Sequence, residues 1–176
     1  MKIVLLTSKE TKFIETLKED ISLVISNHPD ERIIETCLSL NIPCEIIPHP
    51  DFPNRLDHDR AIKLSLDNVN PDIVILTGYN RIIKERNILE DYHKKIINIH
   101  FSLLPEFQGI DPCKQAFENK SKISGYTIHY IDEGIDTGEI IFQEKVNISD
   151  CNSEKEIYNE ILQASLLGIT KVLNNL

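Results

Sequence analysis

Asn98 and His100 stand two residues apart inside a run otherwise filled by isoleucine, Ile96-Ile97-Asn98-Ile99-His100. A run of this kind reads as a buried β-strand. On a strand, residues i and i+2 project to the same face. One face therefore offers an amide donor beside an imidazole, the side chain that most readily gains or loses a proton near neutral pH. Taken alone, such a pair is more often a satisfied polar contact than a reactive one. Its setting is suggestive. Leu103-Leu104-Pro105 breaks the strand, and Gly109 permits a further sharp bend. Open α/β sheets place their chemistry where a buried strand runs out into an irregular loop.

The remaining elements must position that strand. Ile3–Thr7 and Ile21–Ser26 read as the first two strands, separated by a helical pattern with Phe13, Ile14, Leu17 and Lys18 on one face. Asp30 can cap a helix that turns Ile33, Ile34, Cys37 and Leu38 inward. A short third strand over 44–47 stops at Pro48 and Pro50. From Asn54 a helix carries Leu56, Ala61, Ile62, Leu64, Leu66 and Val69, and Asn70-Pro71 closes it. The unbroken apolar run 72–77 predicts a strand buried on both faces, followed by the loop Gly78-Tyr79-Asn80-Arg81-Ile82-Ile83. A short helix over 84–92 leads to the Asn98 strand.

Downstream, helix 113–118 follows Asp111-Pro112. Residues 125–131 alternate as a strand, a turn-rich loop spans 134–138, and 139–144 form a further strand paired with the previous one. Ser153 and Glu156 form a capping box for the last helix, which buries Ile157, Ile161, Leu162, Leu166, Ile169 and Leu173. Strands alternating with helices predict an α/β fold with a mainly parallel sheet covered on both faces. No repeat or linker divides the chain, so a single domain over 1–176 is expected. The first strand–helix turn lacks a G-x-G-x-x-G loop, which disfavours a dinucleotide-binding enzyme.

Composition narrows the class. The hydrophobic fraction of 41% suits a globular chain with a sizeable core. No apolar run reaches the length of a membrane span, and the first apolar stretch is too short for a signal peptide. The net charge of −9, from 28 acidic against 19 basic residues, argues against non-specific binding to nucleic acid or an anionic membrane. Cys37, Cys44, Cys113 and Cys151 form no C-x-x-C pair, and no histidine cluster stands near them at zinc spacing. Reduced thiols in the cytoplasm, and no metal site, are the expectation.

A second stretch, Gly125-Tyr-Thr-Ile-His-Tyr-Ile-Asp-Glu-Gly-Ile-Asp-Thr-Gly-Glu-Ile-Ile141, changes the weight given to the first. Asn98-Ile-His100 with Ser102-Leu-Leu-Pro105 and Gly109, then His129, then Asp136-Thr137-Gly138, resembles the folate-dependent formyltransferases. Within them the chain is most similar to the glycinamide ribonucleotide branch of purine biosynthesis. The resemblance covers the whole chain and is strongest over 73–141. It implies a Rossmann-like formyltransferase fold, and transfer of a formyl group from 10-formyltetrahydrofolate to a primary amine, a small molecule. It implies Asn98, His100 and Asp136 as the catalytic trio. Asn98 and a protonated His100 would donate to the formyl oxygen, as an oxyanion hole does, and Asp136 would favour the imidazolium. No covalent intermediate is needed, so Ser102 and Cys113 read as structural.

The resemblance also assigns donor binding to Arg55, Asn80, Arg81, Ile82, Ile83 and Asn98, with backbone groups of the 80–83 loop on the pterin ring. Arg55 reads equally as a solvated helix charge. Arg60 reads as structural, paired with Asp57 or Asp59, and His129 faces either the site or the core. His28, His49, His58 and His93 read as surface residues. One departure concerns the acceptor. Where the family carries a glycine-rich phosphate loop, this chain has Lys9-Glu10-Thr11-Lys12-Phe13, with no glycine to let backbone amides wrap an anion. The family's acidic substrate residue in the last helix falls at about Ser165. Lys9 and Lys12 read as point charges for an anion or as solvated. An amino-sugar nucleotide is the alternative acceptor, and a non-catalytic folate-binding module is the alternative from another class. Oligomeric state stays open.

Overall fold

Apolar runs without alternation become strands buried on both faces. β1 (Ile3–Thr7) and β4 (Ile73–Thr77) are buried at every residue, and β2 (Ile21–Ser26) at all but Ser22. The computed structural model describes residues 1–176 and divides into two compact units, Met1–Ile97 and Asn98–Leu176.

In the first unit β1 pairs in parallel with β2 and β4, and β2 pairs in parallel with β3 (Cys44–Ile46). Thr7 lies opposite both Ser26 and Thr77, so three strands end level and their loops leave from one edge. The helices are α1 (Lys12–Leu17), α2 (Glu31–Leu40), α3 (Arg55–Val69) and α4 (Arg86–Asp91). Asp30 caps α2 by accepting the Arg32 N–H, and Asn54 caps α3 by accepting the Asp57 N–H. Asn41 and Asn70 end those helices in left-handed backbone.

The second unit holds the C-terminal part of β5 (Ile96–His100), α5 (Pro112–Glu118), β6 (Ile123–Tyr130), β7 (Ile140–Asn147) and α6 (Glu154–Leu173). β6 and β7 pair antiparallel, with a shift of register between Ile128 and His129. Such irregularities re-aim a side chain relative to the sheet. The strand order is β3-β2-β1-β4-β5-β6-β7, the mainly parallel α/β sheet expected from sequence. Ser153 caps α6 by accepting the Glu156 N–H, while the Glu156 carboxylate accepts from Asn152, one residue before the cap.

Several inward assignments fail. Leu38 is 75% exposed and Leu64 67%, because the buried stripes run through Ile33 and Cys37 on α2 and through His58, Ile62 and Leu66 on α3. His58 is thus not a surface residue: its side chain is fully buried and its Nε2 bonds the Ile47 carbonyl at 3.0 Å. His28 and His49 are half-buried, and only His93 is exposed as expected. No helix is long and apolar enough to cross a membrane.

Candidate active site

Asn98, His100 and Asp136 meet within the second unit. β5 places Asn98 and His100 on one face, and the loop after β6 brings Asp136 to them. Asn98 Nδ2 lies 3.4 Å from Asp136 Oδ1, and His100 Nδ1 lies 3.4 Å from Asp136 Oδ2. The Asp136 carboxylate also accepts the Gly109 N–H at 2.8 Å, and the Gln108 side chain donates to the Asp136 carbonyl at 3.2 Å. The strand-breaking loop after His100 thereby holds the carboxylate. Asp136 and Phe107 both adopt left-handed backbone, at φ 53° and 52°, which is less common for Phe than for Asp.

His129 joins the group. It is buried, and its Nδ1 lies 2.8 Å from the Tyr130 carbonyl, so that nitrogen carries the proton. Its Nε2 stands 3.3 Å from Asn98 Nδ2 and 3.6 Å from Asp136 Oδ1. Asn98 Nδ2, His129 Nε2 and Asp136 Oδ1 thus form a nearly equilateral triangle. Asn98 Nδ2 faces both partners on one side of its amide.

His100 is placed differently from the expected oxyanion donor. Its Nε2 donates to the Phe107 carbonyl at 2.9 Å, and its Nδ1 faces Asp136, so neither nitrogen is uncommitted. Burial lowers its pKa below the ordinary 6.5, against the pull of Asp136 and the Phe107 carbonyl. Burial alone would raise the Asp136 carboxyl. The His129 and His100 rings and the Gly109 amide together outweigh it and hold the carboxyl below its ordinary value. The site thus sets the Asp136 carboxylate between two imidazole nitrogens, His100 Nδ1 and His129 Nε2.

A cavity of about 240 Å³ opens beside Asp136, lined also by Leu104, Pro105, Gln108, Thr137 and Ile140. Gly138 closes its rim, where the Tyr130 carbonyl leaves no space for a Cβ. A larger open depression of about 450 Å³ at Lys122, Ile123, Lys145, Asn147 and Ser149 carries none of these groups. No set of three His, Cys, Asp or Glu side chains is arranged to hold a metal ion.

Residues 1–173 match the model of the formyl transferase family. The chain belongs to the formyl transferases. It is 36% identical over 140 residues to the phosphoribosylglycinamide formyltransferase of Bacillus subtilis, covering 80% of this chain and 71% of that one. It is also 36% identical over 154 residues to the trifunctional purine biosynthetic protein adenosine-3 of Drosophila melanogaster, covering 88% of this chain but only 11% of that protein. The chain spans about a tenth of that larger relative's length. The crystal structure of phosphoribosylglycinamide formyltransferase from Streptococcus pneumoniae superposes with a TM-score of 0.92 at 27% identity, over 99% of this chain and 97% of that one.

The formyl transferase residues expected to hold the donor lie, apart from Asn98, in the first unit. Arg55 opens α3 and is half-buried. Asn80 ties together the level ends of β1, β2 and β4: its N–H donates to Ser8 Oγ at 2.9 Å, and its side-chain oxygen accepts from Asn27 at 2.8 Å. The Asn80 N–H is therefore not free for a ring. Arg81 keeps a buried Nε with no hydrogen-bond partner, and so does the Tyr79 hydroxyl. Ile82 is half-buried and Ile83 belongs to the core. Arg60 pairs with Asp57 at 3.2 Å, and also with Glu85 at 3.2 Å.

Ser102 is fully buried, its hydroxyl donating to the Glu106 carbonyl. The Cys113 thiol is pushed up to about 12 by burial, which leaves it inert as a nucleophile near neutral pH. All four cysteines are free thiols. Sequence reasoning missed the Phe107 carbonyl and the Gly109 N–H. Both are backbone groups, and residue types carry no signal for them.

Proposed function

We propose that the whole span 1–176 acts as one catalytic domain transferring a formyl group from 10-formyltetrahydrofolate to a primary amine. The observation that carries this reading is the convergence of Asn98, His100 and Asp136, with the Gly109 N–H fixing the carboxylate. The bound donor supplies an electrophilic formyl carbon. The Asn98 amide donates to the formyl oxygen as negative charge grows there during attack by the amine. Asp136, flanked by His100 and His129, takes the proton that the amine sheds and returns it to the departing nitrogen. One C–N bond forms, one breaks, and one proton passes from the acceptor amine to the tetrahydrofolate nitrogen. Arg55, Arg81 and the backbone of Ile82 and Ile83 are the donor-binding groups of this reading, and the reduced thiols suit a cytoplasmic protein.

Glycinamide ribonucleotide is the nominal acceptor, since the Bacillus and Streptococcus proteins carry that name. The first loop bears on this choice. Glu10 Oε1 accepts the Lys12 N–H at 2.8 Å, and the Glu10 N–H donates to Thr7 Oγ1 at 3.1 Å. The loop's own carboxylate thus occupies an amide that an anion would need.

Incubation with 10-formyltetrahydrofolate and a panel of primary amines, with mass detection of product, tests the reading. A formylated amine supports it and identifies the acceptor. Formate release without any amine would mark a hydrolase. Donor binding without turnover would mark a non-catalytic folate module.

A further inference from the structure

In the first unit a tight turn and the alternation of a strand bring two cysteines together. Cys37 lies on α2 and is 1% exposed, and Cys44 opens β3 and is half-buried. Asn41 ends α2 at φ 56°, and the Ile42 N–H donates back to the Cys37 carbonyl at 2.9 Å. The Pro43 carbonyl then accepts the Val24 N–H at 2.9 Å, which seats Cys44 opposite Val24 on β2. Glu45, the next residue, reaches α3, where its carboxylate accepts the Ser65 hydroxyl. Successive strand residues point to opposite faces, so Cys44 points away from α3. The chain steps from β1 to β2 to β3 in one direction along the sheet and crosses back from β3 to β4 in the other. Right-handed crossovers in that order put α2 and α3 on opposite faces, so Cys44 points to the face that α2 covers. Cys37 sits on the buried stripe of that helix, and the two thiols are hydrogen-bonding neighbours.

We infer that Cys37 and Cys44 form a reversible dithiol–disulfide site whose co-substrate is a low-molecular-weight disulfide, with Cys44 as the attacking thiol. Cys44 is the reachable member, on a strand that is the edge of the sheet. The hydrogen bond from Cys37 holds its thiol below the ordinary 9.0, against burial and Glu45, while the same bond and burial push Cys37 up. The thiolate is the nucleophile, so Cys44 reacts first. Its sulfur attacks one sulfur of glutathione disulfide, that S–S bond breaks, and one glutathione leaves with the proton Cys44 gave up. Cys37 then attacks Cys44 Sγ, and the second glutathione leaves with the Cys37 proton. Two protein thiols are oxidised and one glutathione disulfide is reduced to two thiols. The new bond ties the three-residue strand β3, paired only with β2, to α2. Burial and carboxylates account for the shifts of Cys113 and Cys151, with no second thiol beside either.

The test does not depend on the formyl-transfer reading. The folded, reduced protein is equilibrated with glutathione and glutathione disulfide in varied ratio, alkylated, and digested with trypsin. Cleavage after Arg32 and Arg55 leaves both cysteines in the one peptide 33–55. That peptide should become lighter by two hydrogens and resist alkylation as the disulfide fraction rises, and excess glutathione should reverse the change. Closing this short loop should raise Tm by roughly 5 °C. In Cys37→Ser, Cys44 should retain one glutathione, and in Cys44→Ser the buried Cys37 should stay unmodified. Two alkylatable thiols in peptide 33–55 of the parent protein under glutathione disulfide alone overturn the site. So does a bond that forms only in denaturant or that lowers Tm. Glutathione on Cys37 in Cys44→Ser, with none on Cys44 in Cys37→Ser, overturns the assignment of Cys44 as the attacking thiol.

Discussion

His100 Nδ1 faces Asp136 Oδ2 across 3.4 Å, while the opposite nitrogen of the same ring is bound to the Phe107 carbonyl at 2.9 Å. The imidazole is thus a bridge between loop backbone and carboxylate. Burial lowers the His100 pKa, while the groups around Asp136 hold its carboxyl below the ordinary value. Under the proposed function, proton acceptance falls to the carboxylate and its two histidines, and oxyanion contact to Asn98.

Asp136→Asn follows directly. The amide keeps the shape of the carboxylate but removes its charge and its ability to take a proton. A loss of about 10²-fold or more in kcat is expected, the scale of general acid–base contributions, with donor affinity close to that of the parent protein. Steady-state kinetics with a competent acceptor, together with donor titration by calorimetry, separates the two effects. Near-normal turnover would exclude the proton-relay role.

Asn98→Asp addresses the other half of the site. It removes both N–H donors and sets a second carboxylate beside Asp136. Loss of one oxyanion donor costs about 10²- to 10³-fold in kcat, and the added charge deepens it. His129→Phe retains Asn98 but removes the acceptor that orients its amide, so a smaller loss, roughly tenfold, is expected with KM little changed. An equal loss in both variants would contradict the division of labour between the two residues.

The His100 shift has a consequence for stability. Its folded pKa lies below the ordinary 6.5, so the unfolded chain binds the proton more readily. Its contribution is full above about pH 6.5 and is lost as pH falls through the lower folded value. The Asp136 carboxyl is also depressed, from an ordinary 3.8, and its contribution disappears only in stronger acid. Thermal melts should therefore show Tm declining below about pH 6.5. In His100→Asn, which cannot charge, the upper part of that decline should flatten. An identical pH profile in the variant would remove His100 as its source.

The pattern of residues carried most of the fold and part of the site. Strands β1 and β4 were legible because parallel strands buried on both faces must be apolar throughout, β5 was legible by its isoleucines, and the shared face of Asn98 and His100 followed from strand geometry alone. His58 was misjudged because a histidine on a helix is polar by type, while its burial depends on a stripe set by Ile62 and Leu66. The environment of His100 was only half legible. The Asp136 charge was visible in the sequence, but the burial that outweighs it is a property of the folded chain.

The first loop provides the remaining test, because it concerns which amine is used. A glycine-rich loop holds phosphate through backbone N–H groups that only glycine lets approach closely. Here Phe13 is buried in the core, Lys12 Nζ pairs with Glu15 at 2.9 Å, and Glu10 accepts the Lys12 N–H. A phosphate at this position would meet the Glu10 carboxylate in place of an open amide. Donor affinity should therefore survive while affinity for glycinamide ribonucleotide is weak or absent, as calorimetry with each ligand separately would record. Glu10→Gln removes the repelling charge and should strengthen binding of the ribonucleotide several-fold, by roughly the 1 kcal/mol that one partly exposed charge contributes. Tight binding by the parent protein, unaffected by Lys9→Ala and Lys12→Ala, would show that another part of the chain has taken over the anion. It would also put glycinamide ribonucleotide first among acceptors without qualification.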